Sequence, residues 1–102
     1  MVLQHLQFDL SEGDDGVQTL DAMASTRDAQ QLDAMRAEAQ QVLDWAAQQF
    51  PHGHAPVEEG GQWDHELLEQ AEGGGWTTLT LTMSATPAVV EAFFERFGSP
   101  QD

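Results

Sequence analysis

Residues 76–98, WTTLTLTMSATPAVVEAFFERFG, decide the fold. Leu79, Leu81 and Met83 alternate strictly with Thr78, Thr80 and Thr82, the period-two pattern of a strand from Trp76 to Ser84 with one buried face. After Ser84 the period changes. Thr86 followed by Pro87 predicts a helix N-cap with proline at the first helical position, where a missing N–H costs nothing. Val90, Phe93, Phe94 and Phe97 then make one apolar face, and Gly98 marks the stop.

Upstream, Gly73-Gly74-Gly75 supplies a tight turn, and Gln62 to Glu72 reads as the strand that pairs back onto 76–84 to form a hairpin. The first half of the chain shows the same order. Val2, Leu6, Phe8 and Leu10 alternate with His5, Gln7 and Asp9, with Gln4 as the exception on the inner side, so Val2 to Leu10 is expected as a half-buried strand. Ser11-Glu12-Gly13-Asp14-Asp15-Gly16 carries the glycines of a reversal. Val17 to Ser25 follows as the second strand, with Leu20, Ala22 and Ala24 inward.

A helix is expected to start afresh near Ser25 or Thr26, because Leu20 and Met23 fall on the wrong side of the later apolar stripe. Ser25 with Asp28 resembles a capping box. Leu32, Met35, Ala39, Val42, Leu43, Ala46 and Phe50 lie within roughly a 100° sector, a long amphipathic helix. It should end at Phe50, since Pro51 restricts the residue before it. Pro51 to Gly61, with His52, His54, Glu58 and Glu59, is expected as an exposed connection.

The resulting order is β-β-α-β-β-α. Both helices carry one apolar stripe and the strands mostly one apolar face, so two layers suffice: an α+β sandwich with a four-stranded antiparallel sheet and two helices on one face. Met23-Ala24-Ser25-Thr26 echoes Met83-Ser84-Ala85-Thr86, a similarity of architecture more than of ancestry. A length of 102 residues fits one domain over 1–102, burying roughly 60 to 65% of its unfolded surface. Ser99 to Asp102 are expected to fray.

Charge narrows the choice of partner. Eighteen acids face three basic residues, Arg27, Arg36 and Arg96, for a formal net charge of −15. Three scattered arginines cannot form the patch that binds nucleic-acid phosphates or an anionic membrane. A basic protein surface, or a metal cation, is what such a field attracts. There is no cysteine, which excludes disulfides, zinc–thiolate sites and thiol catalysis. The first ten residues lack the features of a secretory signal, and no apolar run approaches the roughly 18 residues of a membrane span, so the cytoplasm is the expected location.

No catalytic motif is found: there is no Gly-x-Ser-x-Gly, no phosphate-cradling glycine loop and no paired-histidine metalloprotease helix. The chain is expected not to be an enzyme, and no cofactor is called for. Two groups carry metal-ligand chemistry, each beside an ordinary structural explanation. Asp9, Glu12, Asp14 and Asp15 surround a turn, with oxygen ligands of the kind calcium takes, yet Asp-Asp-Gly is an ordinary hairpin turn and the closing glutamate of a calcium loop is missing. His52, His54 and His65, with Asp64 and Glu66, offer nitrogen and oxygen ligands in a spacing that matches no established motif.

Trp45 falls about 110° from the centre of the first helix's stripe, on a flank to be covered by the 51–61 connection or by Trp63, or else left for a partner. Trp63 and Trp76 lie near opposite ends of the second hairpin. Thr78, Thr80 and Thr82, with His5, Gln7 and Asp9, would line the sheet face away from the helices, a potential binding platform.

The leading expectation is an acidic protein-interaction module that binds a basic partner surface, as an inhibitor, adaptor or nucleic-acid mimic would. Trp45, Trp63, Glu58, Glu59 and Glu66 are its candidate contacts. The alternatives are a divalent-cation-binding domain using His52, His54, His65, Asp14 and Asp15, and an acidic domain with no partner selected by charge. Monomer and homodimer remain equally open from sequence.

Overall fold

The computed structural model describes residues 3, 5–13, 17–51, 53, 55 and 60–98. Six elements follow in the order β1 (Asp9–Glu12), β2 (Gln18–Thr26), α1 (Ala29–Gln49), β3 (Trp63–Ala71), β4 (Thr77–Ala85) and α2 (Pro87–Phe97). The four strands form one antiparallel sheet in the order β1-β2-β4-β3. Both helices lie on one face, giving the two-layer α+β architecture. No helix among the described residues is long and apolar enough to cross a membrane.

The alternation in β4 is realised in full. Leu79, Leu81, Met83 and Ala85 are buried beneath the helices, while the threonines between them face the other way. In β2 the buried set is Leu20, Ala22 and Thr26, with Ala24 partly buried. Met35, Ala39, Val42 and Ala46 of α1 and Val89, Val90, Phe93 and Phe97 of α2 close the core from above.

Beyond shifts of a residue at strand ends, three features differ from the sequence expectation. The first strand begins only at Asp9, although Leu6 and Phe8 are buried as their alternation predicts. The Glu38 carboxylate of α1 accepts the backbone N–H groups of His5 (2.9 Å) and Leu6 (3.0 Å), so side-chain bonds replace sheet bonds there. Phe8 meets Phe93 edge-on, with centroids 5.0 Å apart. Val2 and Gln4 lie outside the described residues.

The second difference is the start of α1. Ser25 and Thr26 stay in β2, because β4 pairs with that strand along all of Gln18–Thr26. Asp28 is the N-cap instead, its Oδ1 accepting from the N–H of Gln30 (2.7 Å) and Gln31 (3.3 Å). Thr26 contributes by accepting the Asp28 N–H on its hydroxyl at 3.0 Å. A ladder nine residues long outweighs a local capping signal.

Thirdly, Trp45 belongs to the core, with 9% of its surface exposed. Its ring meets Phe50, Phe93 and Phe97 edge-on, at centroid distances of 6.2, 6.0 and 5.5 Å. Among the described residues the rings that cover it come from α2 and from Phe50 at the end of α1, while most of the 51–61 connection lies outside the described residues. A second helix alongside the first widens the buried sector beyond one stripe, which a wheel drawn for α1 alone cannot register.

Topologically the two ββα halves meet across β2 and β4, where Leu20 pairs with Met83 and Ala24 with Leu79, so that Leu20 and Leu79 hold the same position, the third, in their strands. The Met-Ala-Ser-Thr echo does not follow that correspondence. Met83 is buried, whereas Met23 is 67% exposed on the opposite face.

Candidate functional site

Every strand of an antiparallel sheet offers alternate residues to each face, and directly paired residues share a face. The register therefore assembles the uncovered face row by row. One row runs Asp9, Asp21, Thr82, Glu66 across all four strands; the next runs Ser11, Thr19, Ser84, Asp64. Beyond the acidic end come Met23, Thr80 and Leu68, then Ser25, Thr78 and Gln70.

Four carboxylates thus occupy two neighbouring rows. The Thr82 hydroxyl donates to Asp21 Oδ1 at 3.0 Å, and the Asp64 carboxylate accepts the His65 N–H at 2.9 Å. A shallow hollow of about 150 Å³ opens between β3 and β4, lined by Asp64, His65, Glu66, Thr82 and Ser84. Acceptor oxygens dominate its rim, a chemistry that fits an ammonium or guanidinium head.

The chain's three arginines are placed elsewhere. Arg36 clasps Glu69 through two hydrogen bonds of 2.7 Å and bonds Asp33 at 3.1 Å. Arg27 lies over the Trp76 ring at 5.8 Å, and Arg96 over Phe97 at 5.6 Å. The hydrogen bonds from Arg36, together with its positive charge, lower the Glu69 pKa below the usual carboxylate range and raise that of Arg36 in return.

Exposed apolar side chains complete the face. Met23 is 67% exposed, Leu68 45% and Trp76 44%. Met23 and Leu68 flank Thr80 in one row, and Trp76 stands beyond them toward the β3–β4 turn. The face therefore grades from acid at one end to apolar and aromatic at the other.

The sequence-derived contacts fare unevenly. Glu66 is exposed on this face, as a binding role requires. Trp45 and Trp63 are both buried, so neither offers a ring to a partner. Trp63 packs beneath the start of β3, where its indole N–H points to the Phe50 carbonyl at 3.4 Å and its ring stacks with His65 at 5.9 Å. His65 shares the helix-side face of β3 with Trp63, while Asp64 and Glu66 point the other way. Glu58, Glu59, His52, His54, Asp14 and Asp15 lie outside the described residues. Among the described residues no group of three histidine, aspartate or glutamate side chains comes together to hold a metal.

The platform expected from sequence is formed by a different membership. Asp9 is on it, but His5 and Gln7 precede the first strand, and His5 is held to α1 through Glu38. Met23, Leu68, Trp76 and Asp21 were not among the expected contacts. Strand phase carried the signal for two of them: with Leu20 and Ala22 inward Met23 must face out, and adjacent Leu67 and Leu68 cannot share one face of a strand.

No known protein family, curated protein or solved structure matches this chain.

Proposed function

We propose that this chain is a small acidic module that binds a basic protein surface through the uncovered face of its sheet. The observation that carries the reading is the grading of that face. Asp9, Asp21, Asp64 and Glu66 gather at one end, and exposed Met23, Leu68 and Trp76 lie toward the other. Long-range attraction from a net charge of −15 speeds encounter and weakens with salt, whereas desolvation of Met23, Leu68 and Trp76 supplies short-range energy. The hollow beside Glu66 and Thr82 receives a lysine or arginine side chain as an anchor. The role is one of binding without a reaction, in the cytoplasm.

The test is a low-salt pull-down from host lysate, eluted at about 0.5 M salt, where screening is short-ranged. An equally acidic unrelated domain serves as control. One basic protein enriched over that control, and lost on the double change Met23→Ser and Leu68→Ser, supports the proposal. Recovery of only what the control recovers overturns it and leaves the charge as a solubility feature.

A further inference from the structure

A trough runs along β4 on the uncovered face of the sheet. Thr82, Thr80 and Thr78 form its floor, flanked by Asp21 and Met23 of β2 on one side and by Glu66 and Leu68 of β3 on the other. Neighbouring strands lie about 4.8 Å apart, so the two walls are separated by roughly 10 Å. Two of the floor hydroxyls are already engaged within the face. Thr82 donates to Asp21 at 3.0 Å, and Thr78 shares a hydrogen bond of 2.7 Å with Ser25. Covering them with apolar groups therefore leaves neither without a partner. Trp76, which continues the parity of Thr78, closes the far end, with the Arg27 guanidinium over its ring at 5.8 Å.

Charge is divided along this trough. Asp9, Asp21 and Glu66 share the row at one end, while Arg36 is held on Glu69, Arg96 lies over Phe97 and Arg27 stands at the opposite end. The acidic row draws in positive charge and repels a second copy of this chain, itself at −15. Met23 and Leu68, both exposed, follow one row further on. The occupant that complements the face carries basic groups at one end and an apolar stripe along the rest. Its backbone is constrained as well. Strand N–H and C=O groups bond within the plane of the sheet, so the face offers none to an incoming chain. An extended segment laid there would bury its own main-chain groups unpaired, whereas an α-helix satisfies them internally. A helix about 10 Å across spans the trough from wall to wall. From Thr82 to Trp76 the trough is about 20 Å long, the length of about 13 helical residues.

Resting on the basic-partner reading above, we propose that the partner protein docks an amphipathic helix, basic at one end, along β4 on the uncovered face. Two lysines or arginines straddle its stripe and reach Asp21 and Glu66 on opposite walls. Apolar residues at i, i+4 and i+7 then lie over Met23 and Leu68 and run on toward Trp76. The bound helix adds a third layer to a sheet whose other face is already covered.

The probe is the peptide Ala-Lys-Lys-Ala-Gln-Leu-Ala-Gln-Ala-Leu-Ala-Gln-Leu-Ala-Gln-Ala, acetylated and amidated, together with its reversed sequence, since the face does not fix which end of the helix is basic. A third version has proline in place of the alanine before the second leucine, which breaks the helix and keeps every lysine and leucine. Fluorescence anisotropy at low salt should show binding in at least one order, and binding at least about tenfold weaker for the proline version of that order. Amide resonances of Met23, Thr80 and Thr82 should shift in the wild-type protein. The double change Met23→Ser and Leu68→Ser, at two exposed positions, should weaken the parent peptide. Equal binding by the proline version, or no peptide binding while the basic protein from the pull-down still binds, overturns the helix and leaves the basic-partner reading standing. Shifts that avoid this face, or failure of both peptide and basic protein to bind, remove that reading as well. Self-association that disappears in the double variant would make a second copy the occupant and overturn the proposal.

Discussion

Asp9 stands directly opposite Asp21 across the β1–β2 ladder. Like charges in directly paired positions destabilise a sheet by roughly 0.2–1 kcal/mol, and no arginine has been placed beside them. Asp9→Asn should therefore stabilise the protein by up to about 1 kcal/mol at low ionic strength, with a smaller gain in salt. Urea denaturation at two salt concentrations checks both parts. The same change should weaken capture of a basic partner, separating a cost to the fold from a use at the surface.

Burial of Trp45 makes the opposite claim for the aromatic that first looked like a contact. Trp45→Ala removes a ring packed on Phe50, Phe93 and Phe97 and should cost about 3–5 kcal/mol. Met23→Ser, on the exposed face, should change stability by no more than about 0.5 kcal/mol. Thermal melts of the two variants should rank them accordingly; a Trp45→Ala protein as stable as wild type would mean that ring is not in the core.

Glu38 acts as a clamp on the segment that leads into the sheet. Glu38→Ala leaves two backbone donors, the N–H groups of His5 and Leu6, without their acceptor and should destabilise by about 1–3 kcal/mol. Hydrogen exchange at those two amides should accelerate more than exchange in β4. Glu38→Gln, which keeps one acceptor oxygen, should recover part of the loss.

Acid should act on the Arg36–Glu69 pair in a defined direction. Arg36 lowers the folded-state pKa of Glu69 below its unfolded value, so its contribution is fully present above the ordinary carboxylate range. It is lost as pH falls through the lowered folded value. Both side chains are exposed, so the effect is modest. Glu69→Gln should narrow the stability difference between neutral and acidic pH, measured by melting temperature, and leave the neutral-to-alkaline side unchanged.

How far the sequence alone reached can be argued residue by residue. Leu79, Leu81 and Met83 announced β4 because a strand with one buried face repeats every two residues whatever surrounds it. The helix stripes were legible for the same reason. Trp45 was misplaced because its burial depends on Phe93 and Phe97, which are remote in sequence and brought near only by packing. Ser25 was misread as a cap because the competing ladder to Thr78 is also long-range. The start of β1 depended on a side chain, Glu38, reaching across from α1. Glu66 was named only as one acid among several, whereas Met23 and Leu68 were within reach of an argument from strand phase. The acidic rows were not, since they exist only once the register of four strands is fixed.

The central pairing of β2 with β4 has a kinetic consequence. Each half on its own is a hairpin with one helix, and a two-stranded hairpin is marginal in water. The pairing that completes the sheet joins Gln18–Thr26 to Thr77–Ala85, so a long loop must close before either half gains its second neighbour, and topology of this kind slows folding. The rate-limiting search should therefore be for that one inter-half contact, and two separately made halves should acquire structure only when mixed.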